Sequence, residues 1–249
     1  MAHTPRITSS LTYVITAIFT ALVAVSTLLF QVYIPATRGY FNIGESIIYV
    51  TALLFGPFVG AFAGGVGSMI ADLASGYYQY APWTLVNKGF EGFLAGYLFQ
   101  KLLKYKEHWS MITLSMSLIV FAPLSYIGMT YFTGFAQIGD GFNLVGVTID
   151  IPPWFWIGIG GISVIIIVAL GHKVDPNTGI EVLSMFIAGL WMVFGYFIYE
   201  QFVLNLPAVV EVPFNILQCI IGIVIAVPLI KILRLQFGQE FFEQLESTE

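Results

Sequence analysis

An all-α bundle of membrane-crossing helices is the fold that this sequence predicts, on three observations. Charged residues occupy 9% of its 249 positions and hydrophobic ones 58%, whereas soluble domains carry roughly 25% charge. Apolar runs close to the ~20 residues that a helix needs to cross a bilayer recur from end to end. The cations sit at the ends of those runs, with Lys88 the exception.

The first segment, Leu11 to Ile34, follows Arg6, as the apolar part of a signal peptide follows its basic end, and "ALVAVS" faintly resembles a cleavage site. The run continues through Leu28, Leu29 and Phe30 and is long enough to span, which favours an uncleaved first helix. The second and third segments, Gly44 to Phe55 and Phe58 to Ser75, read as shorter than a straight crossing and are split by Gly56-Pro57. They form either two segments or one interrupted pair. Five more follow: Trp83 to Leu103, Met111 to Phe132, Trp154 to Leu170, Val182 to Leu204 and Phe214 to Leu233. With no internal repeat or linker, residues 1–249 read as a single transmembrane domain. In the tail, 236–249, Phe237, Phe241 and Leu245 recur at helical spacing among Glu240, Glu243 and Glu246, the pattern of a short acidic amphipathic helix.

Cation placement predicts orientation. With the N-terminus inside and eight crossings, Arg6, Lys101, Lys104, Lys106, Lys173, Lys231 and Arg234 all face the cytoplasm, and only Arg38 lies outside. Both termini are then cytoplasmic in a multi-pass protein of the cell membrane. The loop from Thr133 to Pro153 carries Asp140 and Asp150 without a cation, which suits the outer side.

Several chemistries find no support. Cys219 cannot form an internal disulfide, and His3, His108 and His172 are scattered, so no metal cluster is expected. There is no clustered histidine and no serine, histidine and acid arrangement for an enzyme. No G-x-x-x-x-G-K-[ST] loop is present to hydrolyse ATP. No bound cofactor and no nucleic-acid partner are expected; membrane lipid is.

On a helix entering from outside, Lys88 lies roughly 8 Å and Glu91 roughly 12 Å below Trp83, at 1.5 Å per residue. Trp83, Asn87 and Glu91 share one face of the fourth segment, and Glu211, Asn215 and Gln218 one face of the eighth. Glu200 lies near the outer end of the seventh segment with Tyr196 one turn deeper, and Glu45 and Asp72 lie near the outer ends of theirs. Ionisable groups in a bilayer are costly and usually functional. Here they gather in the outer half, as a pocket open to the exterior requires. A self-sufficient ion-coupled carrier, the competing class, calls for broken helices and ionisable groups on both sides of the midplane, and Gly56-Pro57 is the only candidate break. The simpler alternative for each residue is mutual neutralisation of Lys88 and Glu91 and bridging of helices by Asn215 and Gln218.

Small residues form stripes: Gly60, Gly64 and Ser68 on the third segment, Gly92 and Gly96 on the fourth, Ala17 and Ala21 on the first. Internal packing accounts for the third and fourth; for the first, packing and a partner-facing surface are both open.

The stretches "GYFNIGESIIYVTALLFGPFVGAFAGGVGSMIADLASGYYQYAPWTLVNKGFEGFLAGYL" (Gly39 to Leu98), "GYFIYE" (Gly195 to Glu200) and "EVPFNILQCIIG" (Glu211 to Gly222) resemble the substrate-binding (S) components of energy-coupling-factor (ECF) vitamin transporters, especially the riboflavin type. The resemblance implies a six-helix core that takes a water-soluble vitamin from outside. It also implies two kinds of partner, a transmembrane coupling subunit and two cytoplasmic ATPases, with "AIFTA" (Ala17 to Ala21) resembling the docking surface. Carried over by residue, it implies binding roles for Tyr40, Asn42 and Glu45, for Asn87, Lys88 and Glu91, and for Tyr196, Glu200, Asn215 and Gln218. The departure is an added hairpin at about 109–172. Tyr40, Phe41, Trp83 and Tyr196 beside amides and charges suit a flat polar heterocycle, such as riboflavin, thiamine or its pyrimidine precursor.

Overall fold

The computed structural model describes residues 9–34, 38–131, 133–140 and 143–237. It divides into two compact units, Met1–Lys104 with Ile180–Glu249, and Tyr105–Gly179. Each predicted segment forms a helix. The first unit holds α1 (Ser9–Leu29), α2 (Glu45–Phe55), α3 (Pro57–Ser75), α4 (Ala81–Leu103), most of α7 (Pro176–Ile198) and α8 (Val212–Phe237); the second holds α5 (Trp109–Tyr131) and α6 (Pro153–Lys173). Among the described residues, six helices are long and apolar enough to cross a membrane. The chain is a multi-pass membrane protein. The 23 residues of α4 also suffice in length; its polar residues set it apart from the six.

The structure differs from the sequence expectation in three places. Helix α1 stops at Leu29, and the predicted extension to Ile34 is instead strand β1 (Gln31–Ile34), paired antiparallel with β2 (Gly39–Asn42) so that Gln31 faces Asn42. An apolar run reveals burial but not period, and Val32, Tyr33 and Ile34 are strand formers. The loop expected at Thr133 to Pro153 contains strands β3 (Gly134–Asp140) and β4 (Asn143–Ile151), also antiparallel. Finally, α2 and α3 are distinct helices of unequal length: α2, with 11 residues, reaches only ~16 Å, while α3, with 19, reaches ~28 Å, enough to cross. The break is Gly56, whose φ of 89° is open mainly to glycine, followed by Pro57 in the first turn of α3. The expected tail helix falls largely on 238–249, outside the described residues.

The small-residue stripes of α3 and α4 pack against each other. A Cβ on Gly64 would lie 2.8 Å from the Lys88 carbonyl oxygen, and one on Gly92 would run into the Gly60 carbonyl. Such close approach is how helices associate where lipid tails offer no hydrophobic drive. It also fixes the height of Lys88 and Glu91 against α3. In the second unit, α5 and α6 meet through small groups: Gly160 and Gly171 are buried on α6, Thr113, Ser117 and Ser125 on α5. Trp109 Nε1 donates to the Gly171 carbonyl at 2.9 Å. Large apolar side chains such as Leu118, Ile119, Trp154 and Ile165 face outward, as suits lipid.

Candidate functional site

At the end of the first unit that carries the β1–β2 hairpin lies a small cavity. The hairpin contributes Gly39, Tyr40 and Asn42, α4 contributes Thr84 and Lys88, and α8 contributes Asn215 and Gln218, with Glu211 just ahead of it. Thr27, Ser68, Asp72, Tyr80 and Tyr196 complete the wall.

Behind it runs a buried polar chain. Gln218 Oε1 accepts from the Asn42 backbone at 2.7 Å and from Asn42 Nδ2 at 3.2 Å, while Gln218 Nε2 donates to Glu45 Oε1 at 2.7 Å. The same Glu45 oxygen pairs with Lys88 Nζ, which also lies 3.3 Å from Glu91 Oε2. Tyr49 donates to Glu91 Oε1 at 2.8 Å. Lys88, Glu45 and Glu91 are all buried, so one ammonium serves two carboxylates away from water. Glu45 opens α2, where the positive end of the helix dipole adds to the attraction. Lys88 also sits 5.6 Å from the centre of the Tyr196 ring.

Two further contacts tie α4 to α7. Asn87 Nδ2 donates to the Met192 carbonyl at 3.0 Å, and Trp83 Nε1 donates to the Gly195 carbonyl at 3.1 Å. Trp83 also stacks on Tyr199, centroids 5.2 Å apart. Tyr199 opens a π-helical turn, Tyr199–Val203, that extends α7 and buries Glu200 beside Glu211 and Tyr80. At the hairpin, Tyr40 donates to Asp72 Oδ1 at 2.6 Å. Burial first, and then the Asp72 charge, push the Tyr40 phenol above its ordinary range, so it stays protonated.

Of the residues expected from sequence, Tyr40, Asn42, Lys88, Tyr196, Asn215 and Gln218 line the cavity. Glu45 and Glu91 stand one layer behind, holding Lys88. Trp83 and Asn87 brace α4 on α7, and Glu200 lies behind Glu211; these five are outside the lining. Asp72 and Glu211 line it as well, although the sequence, which placed Asp72 near a segment end and Glu211 on a face with Asn215 and Gln218, assigned neither a binding role. The signal was present for Glu211, which starts the stripe of Asn215 and Gln218. Tyr80 and Thr84 gave none beyond closeness to Trp83. Ala17 and Ala21 are both exposed on α1 and are absent from the cavity lining, to which α1 contributes Thr27. Among the described residues no group of histidine, cysteine and acidic residues is arranged to hold a metal.

The helices of the first unit thus enclose a polar cavity at one end, within a chain that crosses the membrane several times. The family model for the ECF-type riboflavin transporter, S component, matches residues 7–170 and 138–235, and the chain belongs to that family. Among individual relatives, the thiamine precursor transporter HmpT of Lactococcus lactis subsp. cremoris (strain MG1363) is 33% identical over 134 residues, 53% of this chain and 76% of that protein. A Pyrococcus woesei protein described as "Uncharacterized protein in gap 3'region" is 48% identical over 83 residues, 33% of this chain and 55% of that relative's length.

Proposed function

We propose that this chain is the substrate-binding membrane subunit of an ATP-driven ECF-type importer, and that its cavity captures a riboflavin-like or thiamine/pyrimidine-like heterocycle from outside the cell. The observation that carries this reading is the composition of the cavity wall: Tyr40, Tyr80 and Tyr196 stand in it beside amide and charged groups, the mix of ring faces and a few placed polar groups that orients a small molecule. Tyrosine rings offer stacking faces, and Asn42, Asn215 and Gln218 offer both donors and acceptors to a ring's heteroatoms. Family membership supports the same reading, as does the name of the Lactococcus relative.

Transport against a gradient then needs a transmembrane coupling subunit and two cytoplasmic ATPases, because the chain carries no phosphate-binding glycine loop of its own. The exposed small-residue face at Ala17 and Ala21 is the proposed contact with the coupling subunit. The cation distribution supports cytoplasmic termini and a cavity that faces out.

Purification followed by native mass spectrometry and absorbance tests this: a co-purifying vitamin-sized heterocycle is expected, and a flavin would colour the protein yellow. Accumulation of the same compound by this chain alone, in liposomes with an ion gradient and no ATPase, would overturn the receptor reading in favour of an ion-coupled carrier.

A further inference from the structure

The charge around the cavity is one-sided. Among the described residues Lys88 is the only cation in its lining, and that ammonium is already engaged by Glu45 and Glu91. Two carboxylates, Asp72 and Glu211, line the cavity directly, and Glu200 lies beside Glu211. Arg38, next to Gly39 in the hairpin turn, is exposed and absent from the lining. Asp72 is 3% exposed; its Oδ1 accepts from Tyr40, the Thr84 hydroxyl lies close to the same carboxylate, and Oδ2 is buried without a hydrogen bond of its own. A buried acceptor with an open lone pair beside a cavity is a place for a donor. Glu211 is seated against the hairpin at Gly39, where a Cβ would come within 2.6 Å of its Oε1.

We propose that Asp72 and Glu211 make this cavity selective for neutral or cationic heterocycles that bear N–H or O–H donors, Asp72 Oδ2 accepting one of them, and exclude the phosphate esters of the same compounds. This rests on the vitamin-binding reading above and deepens it. Phosphate sites use free arginine or lysine, or open helix N-termini. Here the lysine is paired, and the α2 N-terminus carries Glu45. A phosphate would bring negative charge to two carboxylates in a site shielded from water, where repulsion is screened least.

The test is titration calorimetry of the purified protein with riboflavin, riboflavin 5′-phosphate and riboflavin 5′-acetate, and with thiamine, thiamine monophosphate and O-acetylthiamine. In whichever series the parent binds, the phosphate ester should bind at least about 100-fold more weakly, and the neutral acetate should stay closer to the parent. Asp72→Asn keeps an oxygen for Tyr40 but removes the charge, and should shrink the parent-to-phosphate ratio at least about tenfold. Glu211→Gln provides a second, independent charge removal and should act in the same direction. A phosphate ester within about threefold of its parent would overturn the proposal. So would an acetate excluded as severely as the phosphate, since bulk would then be selecting, or a ratio unmoved in both folded variants. If neither parent, nor thiamine's pyrimidine precursor titrated alongside them, binds folded wild-type protein, the vitamin-binding reading itself fails, and this inference with it.

Discussion

The Lys88 ammonium pairs with the Glu45 carboxylate, joining the middle of α4 to the first residue of α2. Through Gln218 the same carboxylate is joined to α8 and, through Asn42, to the hairpin. Four separate pieces of chain therefore meet on one buried group, and the cavity is formed against them.

Removing that ammonium should be costly. In Lys88→Met, Glu45 and Glu91 are left buried without a cation, and breaking a buried pair typically costs about 3–5 kcal/mol. Thermal unfolding in detergent should show a large drop for Lys88→Met. The triple variant with Glu45→Gln and Glu91→Gln should recover much of it, because no uncompensated charge remains. Equal destabilisation of both proteins would refute the charge account.

Gln218→Ala should weaken ligand binding more than Asn215→Ala. Gln218 both lines the cavity and holds Asn42 and Glu45 in register, whereas Asn215 lines it without a comparable bridging role. Losing a hydrogen bond to a charged partner costs about 1.5–3 kcal/mol, or roughly 10- to 100-fold in affinity. Calorimetry with the ligand identified by mass spectrometry measures both variants, and the reverse order would contradict the bridge.

Glu91→Gln and Asn87→Ala bear on the layer behind the wall. Glu91 reaches the cavity only through Lys88, and Asn87 braces α4 on Met192. Both variants should lose affinity together with thermal stability. Wild-type affinity in the folded double variant would remove these two residues from the site.

The α3–α4 seam offers a paired comparison. Gly92→Ala would drive a methyl into the Gly60 carbonyl, whereas a Cβ on Gly89 meets the Ala61 oxygen at 3.4 Å, ordinary contact. Overpacking costs about 1–3 kcal/mol, so Gly92→Ala should lower thermal stability clearly and Gly89→Ala little. Similar melting of the two would show that the seam yields.

Ala17→Leu with Ala21→Leu should separate binding from transport. Both alanines are exposed on α1, away from the cavity lining, and leucines there would keep a partner's backbone from close approach. Ligand affinity should stay near wild type while ATP-dependent uptake fails in cells that supply the coupling subunit and ATPases. Unimpaired uptake would place docking elsewhere.

The eight α-helices of the described residues were legible in the amino-acid order because each is an apolar run, and in all but the 11-residue α2 the run approaches bilayer length, which the solvent imposes. The break at Gly56-Pro57 was legible too, since φ near 89° and a first-turn proline are properties of those residue types. Shared depth brought Lys88, Asn215 and Gln218 to notice, since rise per residue converts position into height. Rotation of each helix about its axis does not follow from height. Helix packing decided it: the Gly60–Gly92 contact turns Lys88 toward the cavity and leaves Glu91 behind, facing Tyr49. Nor could an apolar run tell that Gln31–Ile34 leaves the helix, because β1 exists only by pairing with β2, and that pairing sets Tyr40 beside Asp72. Local sequence carried length, depth and breaks; contacts between residues distant in sequence decided which polar groups face the cavity and which ones hold them there.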